Sequence, residues 1–265
     1  MKTLIGINGA CGRMGQRLVA LAHEDAELLL VAATDAVNAG HDAGEVAGIG
    51  PIGVAITPTV KLDTKVDVIV DFSLPEGTMA ILGVCRDRRI PLVVATTGHT
   101  PEQRSRIEEA AHETAILMSP NMSLGVNVAF KLAQEAAHLL KGKDFDVEVM
   151  ERHHRFKKDS PSGTALHFAK IVQDAMGQTS LRHGREGLVG ERPKHEIGVH
   201  AIRVGDNVGE HTVIFSTLGE TLELTIRGHS RDAYARGALA AAKFLATSPP
   251  GRYSMSDVLG LEPLG

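Results

Sequence analysis

The chain has no tryptophan, two tyrosines and seven phenylalanines among its 265 residues. Proteins that bind nucleic acid combine a basic surface with aromatic side chains on which unpaired bases stack. Here the aromatic content is only 3% and the formal net charge is −4. The composition therefore argues against a nucleic-acid partner.

Cysteine is also scarce, since Cys11 and Cys85 lie far apart and form no Cys-x-x-Cys pair. This spacing offers neither a zinc site nor a disulfide framework, so we expect reduced thiols and no bound metal. No apolar run approaches the length of a membrane span, and the N-terminus starts with a strand-like segment rather than a signal peptide. We expect a cytoplasmic protein with no membrane partner.

What the chain does contain is 43% hydrophobic residues, enough for a sizeable core in one or two domains. Apolar segments alternate with helical ones through the first half, and runs such as Val66–Val70 are typical of strands buried on both faces. We expect strands over Thr3–Asn8, Leu28–Thr34, Val66–Phe72, Pro91–Ala95 and Ala115–Met118, with helices over Arg13–His23, after Pro75 and after Pro101. This order predicts an α/β fold with a Rossmann-like, doubly wound parallel sheet.

The second half has a different pattern, which predicts a second α+β domain with a mixed or antiparallel sheet. We expect helices over 126–141 and after Pro161, a long loop over 177–193, and strands over Phe145–Glu151, His195–Val204, Glu210–Thr217 and Thr221–Gly228. The predicted domains are residues 1–124 with 235–265, and residues 125–234. Five histidines in this half show no ligand-type spacing, and we expect them to be ordinary surface or strand residues: His183, His195, His200, His211 and His229.

A glycine-rich loop follows the first predicted strand. It runs Gly9, Ala10, Cys11, Gly12, Arg13, Met14, Gly15. A lone glycine loop is equally compatible with a plain turn, but this one follows a strand, opens a helix and precedes Asp35 by 20 residues. A helix N-terminus of this kind binds a pyrophosphate, and an acid at that separation binds ribose hydroxyls. The pattern favours a dinucleotide site, although Asp35 could also be a turn residue at the end of its strand.

A second candidate site lies in the segment from Arg152 to Lys158, which contains two histidines, two arginines and two lysines. The helix that follows begins near Pro161, which suits the first helical position, with Asp159 or Ser160 as the cap. The N–H groups of Ser162, Gly163 and Thr164 would then lack partners within the helix and could hold an anion such as a carboxylate. A capped helix after a solvated basic run is the alternative, but two adjacent histidines favour the anion site.

The same stretch resembles a known family. Its residues Glu148, Glu151, His153, Lys157, Asp159 and Pro161-Ser162-Gly163-Thr164-Ala165 match the signature of the dihydrodipicolinate (4-hydroxy-tetrahydrodipicolinate) reductases of lysine and diaminopimelate biosynthesis. The resemblance implies that His153 donates a proton, that Lys157 is a second catalytic cation and that His154 contacts the substrate. It also implies that the amides of Gly163 and Thr164, beside Ser162 at the helix start, hold a carboxylate of a small dicarboxylate substrate.

The resemblance extends to the cofactor and to the assembly. In the family, two further loops line an NAD(P)H cofactor, and here they contain Ala95, Thr96 and Thr97, and Ser119, Pro120, Asn121 and Met122. Each loop taken alone could be a plain turn, and Ala95 replaces the glycine that is usual in the family. Related reductases are homotetramers. Since no cation follows Asp35 directly, we expect NADH to be preferred and NADPH to be possible, with Arg13 the nearest cation.

Two alternatives remain open from the sequence. One is a different two-domain dehydrogenase, such as an aspartate or semialdehyde dehydrogenase, although the second requires a nucleophilic cysteine in the substrate domain, where none lies. The other is a nucleotide-sensing module without catalysis, which predicts damage to a histidine–lysine cluster that is intact here.

Overall fold

The computed structural model describes residues 1–61 and 63–261. It contains two compact units, the first formed by residues 1–124 together with the segment from Arg231 onward, and the second by Gly125–Ser230. In the sequence analysis, the chain was expected to return to the first domain after residue 234. The last four residues of the predicted range 235–265 lie outside the described residues.

The secondary structure alternates strands with helices, and short elements fill several connections. The first part of the chain forms β1 (Thr3–Asn8), α1 (Arg13–Glu24), β2 (Leu28–Thr34), α2 (Ala43–Val46), β3 (Ile56–Thr57), β4 (Val68–Asp71), α3 (Pro75–Arg88), β5 (Leu92–Val94), α4 (Pro101–Ala110), β6 (Ala115–Met118) and α5 (Leu124–Leu140). The remainder forms β7 (Asp146–His153), α6 (Gly163–Met176), β8 (Ser180–Arg182), β9 (Glu196–Arg203), β10 (Gly209–Thr217), β11 (Glu220–Gly228), α7 (Asp232–Leu245), β12 (Gly251–Tyr253) and α8 (Met255–Val258).

The sheet of the first unit has seven strands in the order β12-β6-β5-β4-β1-β2-β3, and every neighbouring pair is parallel. Helices α1 and α7 pack against one apolar cluster and helices α3 and α4 against the other. The predicted doubly wound, Rossmann-like sheet is therefore confirmed. Its order reverses beside β1, so the loops after β1 and β4 open at the switch point where ligands bind in such sheets.

The sheet of the second unit is mixed, as predicted, with the order β11-β10-β7-β9-β8. Strand β10 is antiparallel to both β7 and β11, whereas β9 is parallel to β7 and to β8. The apolar side chains of α5 and α6 cover one face of this sheet, with Phe168 and Phe215 as the largest buried residues there. Strand β7 is central, so its side chains are flanked on both sides.

The predicted long loop over 177–193 is wrong in one respect, because β8 lies within it and pairs with the start of β9. Strands of two or three residues carry too little periodicity to be recognised, and the same holds for β3 and β12. Within the described residues, no helix combines the length and the hydrophobicity that crossing a bilayer requires.

Candidate functional site

The glycine loop has the tight geometry that its sequence predicts. Gly9 has φ +80°, and a Cβ there would lie 2.6 Å from the carbonyl oxygen of Phe72. A Cβ at Gly15 would lie 2.0 Å from the carbonyl oxygen of Gly9, so a residue with a side chain does not fit at this position of α1. Both glycines are required for helix α1 to begin directly behind the first strand.

Several backbone N–H groups of the loop form hydrogen bonds that maintain its conformation. The N–H groups of Gly9 and Ala10 donate to the carbonyl of Thr34, and that of Gly12 donates to the carbonyl of Gly9. Gly12 is the N-cap of α1, and as a glycine it has no side chain to accept a hydrogen bond from the first turn. Arg13 and Met14 therefore occupy the first two helical positions, where the helix itself provides no acceptor for their N–H groups. These positions fit a pyrophosphate.

Asp35 is oriented by the same loop. One carboxylate oxygen accepts the N–H of Cys11 at 2.9 Å, and the other accepts the N–H of Val37 at 3.2 Å. The carboxylate thus stands at the end of β2 next to the glycine loop, where it can accept further hydrogen bonds from ribose hydroxyls. Together, the loop glycines, the start of α1 and this acid fit a dinucleotide.

The loops after β1, β4 and β5 are joined by Asp71, a residue that the sequence analysis did not single out. Its carboxylate is fully buried and accepts hydrogen bonds from Asn8 at 2.7 Å, Ser73 at 2.5 Å, Thr78 at 2.6 Å and Thr96 at 2.8 Å. The hydroxyl of Thr96 also accepts the N–H of Ser73 at 2.9 Å. The Asp71 side chain therefore points into the protein and fixes the end of β1, the segment after β4 and the loop after β5 to one another.

The remaining predicted cofactor residues differ in exposure. Ala95 is buried next to Thr96, whereas Thr97 is exposed at the tip of its loop. In the loop after β6, the hydroxyl of Ser119 donates to the carbonyl of Asn121 at 2.8 Å, and Pro120 is exposed. Met122, the last of the predicted cofactor residues, is buried in the core beneath α7.

In the second unit, strand register brings four polar side chains together. Glu151 and His153 are two residues apart on β7 and therefore point to the same face. The parallel partner of His153 on β9 is Arg203, and the antiparallel partner of Glu151 on β10 is His211. The sequence analysis named only His153 of these as catalytic, because the other two strands are distant in sequence.

Glu151 is the centre of this cluster. Its side chain is 1% exposed, and each carboxylate oxygen accepts two hydrogen bonds. Oε2 lies 2.5 Å from Nδ1 of His153 and 2.9 Å from Nη1 of Arg203. Oε1 accepts the N–H of Ser162 at 3.0 Å and Nη2 of Arg203 at 2.8 Å. Because an ionised carboxylate only accepts, Nδ1 of His153 carries a proton and Nε2 is the nitrogen available for proton transfer.

The start of α6 corrects two expectations. The N-cap is Ser162, whose hydroxyl accepts the N–H of Ala165 at 3.2 Å, rather than Asp159 or Ser160. Pro161 lies before the cap, outside the helix. The N–H of Ser162 is also engaged, since it donates to Glu151. The helix therefore begins at Gly163, two residues later than expected, because the carboxylate of Glu151 holds the preceding backbone in place.

The other two predicted site residues lie in the loop after β7. Nζ of Lys157 forms an ion pair with Asp159 at 2.9 Å, and its side chain is partly exposed. Nδ1 of His154 is buried and has no hydrogen-bond partner among the described residues. A buried polar atom of this kind is expected to find a partner when a ligand binds.

The pKa values of the cluster follow from burial and charge. Burial lowers the pKa of His153 below its ordinary value, while the adjacent Glu151 carboxylate opposes that shift. Burial alone would raise the pKa of Glu151, but the hydrogen bonds from Arg203, His153 and Ser162 outweigh it and the pKa is lowered. Glu151 is therefore ionised at neutral pH.

His211 completes the cluster from β10 and differs from the ordinary strand histidine that we expected. Its ring centroid lies 5.2 Å from that of His153 in an edge-to-face arrangement and 5.9 Å from that of Phe168. Its side chain is 5% exposed, and burial lowers its pKa to about 4. His211 is thus a neutral packing partner that supports one side of the His153 ring.

Comparison with known proteins agrees with the resemblance seen in the sequence. A family model described as the N-terminus of dihydrodipicolinate reductase matches residues 3–122, and one described as its C-terminus matches residues 125–259. A 4-hydroxy-tetrahydrodipicolinate reductase of Syntrophotalea carbinolica is 46% identical over 97% of this chain and 99% of its own. One of Rhodopirellula baltica is 47% identical over 96% of this chain and 95% of its own.

Among solved structures, a dipicolinate-bound dihydrodipicolinate reductase from Paenisporosarcina sp. TG-14 has the same fold. It aligns with a TM-score of 0.77 at 24% identity and covers 96% of this chain and 98% of its own. The fold, the two family models and the near-full-length relatives agree, and this chain belongs to the dihydrodipicolinate reductase family.

Proposed function

We propose that this chain is a 4-hydroxy-tetrahydrodipicolinate reductase, which reduces the cyclic imine derived from that compound to tetrahydrodipicolinate in lysine and diaminopimelate biosynthesis. The observation that carries the proposal is the arrangement in the second unit of this family member. A buried histidine with a fixed free nitrogen, His153, is joined through one carboxylate to a helix start that fits an anion. A reductase of a dianionic imine needs both parts.

The first unit binds a pyridine nucleotide, which supplies the hydride when bound. The N–H groups at Arg13 and Met14 hold the pyrophosphate, and the loop at Gly9, Ala10, Cys11 and Gly12 allows its close approach. The loops at Ala95–Thr97 and Ser119–Met122 lie along the same carboxyl edge of the sheet and line the remainder of the cofactor. Asp71 ties the loop at Ala95–Thr97 to the loop after β4 through its hydrogen bonds with Thr96 and Ser73.

NADH is preferred over NADPH in this proposal. Asp35 accepts hydrogen bonds from the two ribose hydroxyls of NADH, whereas a 2′-phosphate would place like charge beside the carboxylate. The residues that follow, Ala36, Val37 and Asn38, contribute no compensating cation. Arg13 is exposed at the start of α1 and supports residual use of NADPH.

The second unit holds the substrate by its carboxylates. The N–H groups of Gly163 and Thr164 at the start of α6, with the cap residue Ser162, receive one carboxylate and benefit from the positive end of the helix dipole. His154 contributes the buried Nδ1 that lacks a partner among the described residues. Lys157 exchanges its ion pair with Asp159 for the substrate and stabilises negative charge that develops during the reaction.

His153 is the acid. Addition of hydride at C4 of the conjugated imine shifts an electron pair into the ring, and a ring atom must then take up a proton. The imidazolium of His153 releases that proton from Nε2, because Nδ1 remains bonded to Glu151. Burial lowers the pKa of His153, but a dianionic ligand beside the ring would favour the charged form and raise that pKa.

Neither cysteine offers the nucleophile that a semialdehyde dehydrogenase uses. Cys85 is fully buried in the first unit, and burial raises the pKa of its thiol. Cys11 lies in the glycine loop, and the pKa of its thiol is raised by burial and by the nearby Asp35. Both thiols are therefore poor nucleophiles at neutral pH.

The active form is a homotetramer in the cytoplasm. On the sheet face opposite α5 and α6, Met150 is 38% exposed and Ile202 is 42% exposed, between ion-paired side chains such as Arg152 and Glu210. A second copy that covers this face would bury both apolar side chains. Light scattering at micromolar concentration measures the assembly, and an active monomer would contradict it.

The direct test of function is turnover. The purified chain is mixed with NADH and with the cyclic imine generated in the cuvette by its synthase, and NADH oxidation is followed by absorbance. We expect turnover that depends on the imine and is inhibited by pyridine-2,6-dicarboxylate. Binding of NADH without imine-dependent oxidation would instead support a nucleotide-sensing module. The companion variant His153→Gln should bind NADH normally and lose turnover.

A further inference from the structure

Glu151 is an ionised carboxylate buried beside the proposed acid, and it hydrogen-bonds to His153, to Ser162 at the cap of α6 and to Arg203. We infer that Glu151, clamped by Arg203, is a positioning residue that holds His153 with Nε2 toward the substrate and aligns the start of helix α6 through Ser162. This inference rests on the proposed acid role of His153 and adds a specific function for two residues outside the reacting set.

The first observation is the saturation of the carboxylate. A carboxylate offers about four acceptor positions. Here all four are occupied, by Nδ1 of His153, the N–H of Ser162 and two nitrogens of Arg203. The four donors come from three different elements, namely β7, the cap of α6 and β9. A shift of Glu151 would therefore move the acid and the helix start together.

The second observation is how Arg203 fixes the carboxylate. Its guanidinium binds both oxygens of Glu151 in the two-pronged geometry that is typical of strong arginine–carboxylate pairs. Nη2 also donates to the carbonyl of Asp159 at 2.7 Å, in the loop that contains Lys157. Arg203 thus connects the loop to the same carboxylate and prevents Glu151 from changing rotamer.

The third observation is electrostatic. His153 is buried, which disfavours its charged form, and the Glu151 carboxylate is the group that counteracts this effect. The other charged groups that face the ring, Lys157 and Arg203, act in the opposite direction, and the neighbouring His211 is neutral at pH 7. Without the negative charge of Glu151, the ring would lose both its fixed tautomer and the charge that favours its protonated form.

Two substitutions at position 151 distinguish a positioning role from a merely structural one. Glutamine at position 151 keeps the shape and one acceptor oxygen but removes the charge. Aspartate keeps the charge but shortens the side chain, so that it no longer reaches Nδ1 of His153. A structural role predicts that Glu151→Gln, the closer isostere, is the milder change. The positioning role predicts that Glu151→Gln, which removes the charge, moves the titration of His153 further than Glu151→Asp does.

The experiment is histidine NMR on the full-length protein, labelled at the ring carbons and nitrogens, with His153 identified by comparison with His153→Gln. In Glu151→Gln we expect the His153 titration to shift to lower pH by about one unit or more. In Glu151→Asp, which keeps the charge but loses the hydrogen bond, we expect a smaller shift in the same direction and a mixture of the two neutral tautomers. Glu135→Gln removes a surface carboxylate that pairs with Lys131 on α5, and it should change neither property.

Kinetics supply the second readout. Because an acid acts only while protonated, the alkaline limb of the kcat profile should move to lower pH in Glu151→Gln. At pH 7.5 kcat should fall about 10- to 1,000-fold. KM for the imine should change by about threefold or less, since the amide retains an acceptor for Ser162.

A wild-type His153 titration in Glu151→Gln would overturn the inference. If that variant does not fold, a wild-type tautomer ratio in Glu151→Asp would do so instead. The NMR measurement requires neither substrate nor cofactor. A failure of the proposed reaction therefore appears only as absent turnover in the wild type, and a failure of this inference appears in the ring titration.

Discussion

Replacement of His211 by glutamine should reduce the stability that the protein loses when the pH falls from 7 to 5. In the folded protein burial lowers the pKa of His211 to about 4 from its ordinary value of 6.5. A group that binds protons less readily when folded destabilises the folded state as soon as the unfolded chain becomes protonated. The free energy of unfolding is therefore not reduced by His211 above pH 6.5, and it falls as the pH decreases from there toward 4.

The magnitude follows from the two pKa values. At pH 5 the unfolded histidine is almost fully protonated, whereas the folded one is about one-tenth protonated. Integrating this difference from pH 7 to pH 5 gives a loss of about 2 kcal/mol in the free energy of unfolding for this one residue. His211→Gln cannot titrate, so its own loss over the same interval should be smaller by about that amount.

The assay is urea unfolding of both proteins at pH 7, 6 and 5, at one protein concentration. Glutamine costs packing against His153 and Phe168 at every pH, so only the change with pH is compared. His229, an exposed histidine of the same unit, provides the matched control His229→Gln, which should follow the wild-type pH dependence. If His211→Gln loses as much stability as wild type between pH 7 and pH 5, His211 is not a buried neutral group and the reasoning is refuted.

Three further predictions concern the proposed site. His153→Gln and Lys157→Met should each lower kcat, by about 100- to 10,000-fold for the acid, with little change in NADH affinity, and wild-type-like turnover by either variant would remove that residue from the mechanism. Gly163 is the first residue of α6, where proline is tolerated, so Gly163→Pro removes one N–H with little strain and should raise KM for the imine strongly. Thr164→Val retains its N–H and should raise KM less. Equal and negligible effects of the two variants would place the carboxylate elsewhere. Ala36→Arg should shift the ratio of kcat/KM values toward NADPH, and a wild-type enzyme that already prefers NADPH would contradict the role given to Asp35.

The sequence alone determined the parallel sheet and its glycine loop, because both are encoded by local patterns. Strands buried on both faces read as unbroken apolar runs, and β1, β2 and β6 have the predicted bounds. The family was equally accessible, since its signature falls within one continuous segment that ends at Ala165. Short elements such as β8 and β12 were not recognised, because two or three residues show no periodicity.

The tertiary structure decided how the candidate acid is supported. Arg203 lies 52 residues after Glu151, and the two meet only because β9 pairs with β7 in a parallel register. His211 reaches His153 through the separate antiparallel pairing of β10. Strand order and register depend on how the whole sheet packs against α5 and α6, which no local pattern records. The start of α6 moved to Gly163 for the same reason, because the buried carboxylate of Glu151, brought there by tertiary folding, binds the backbone of Ser162.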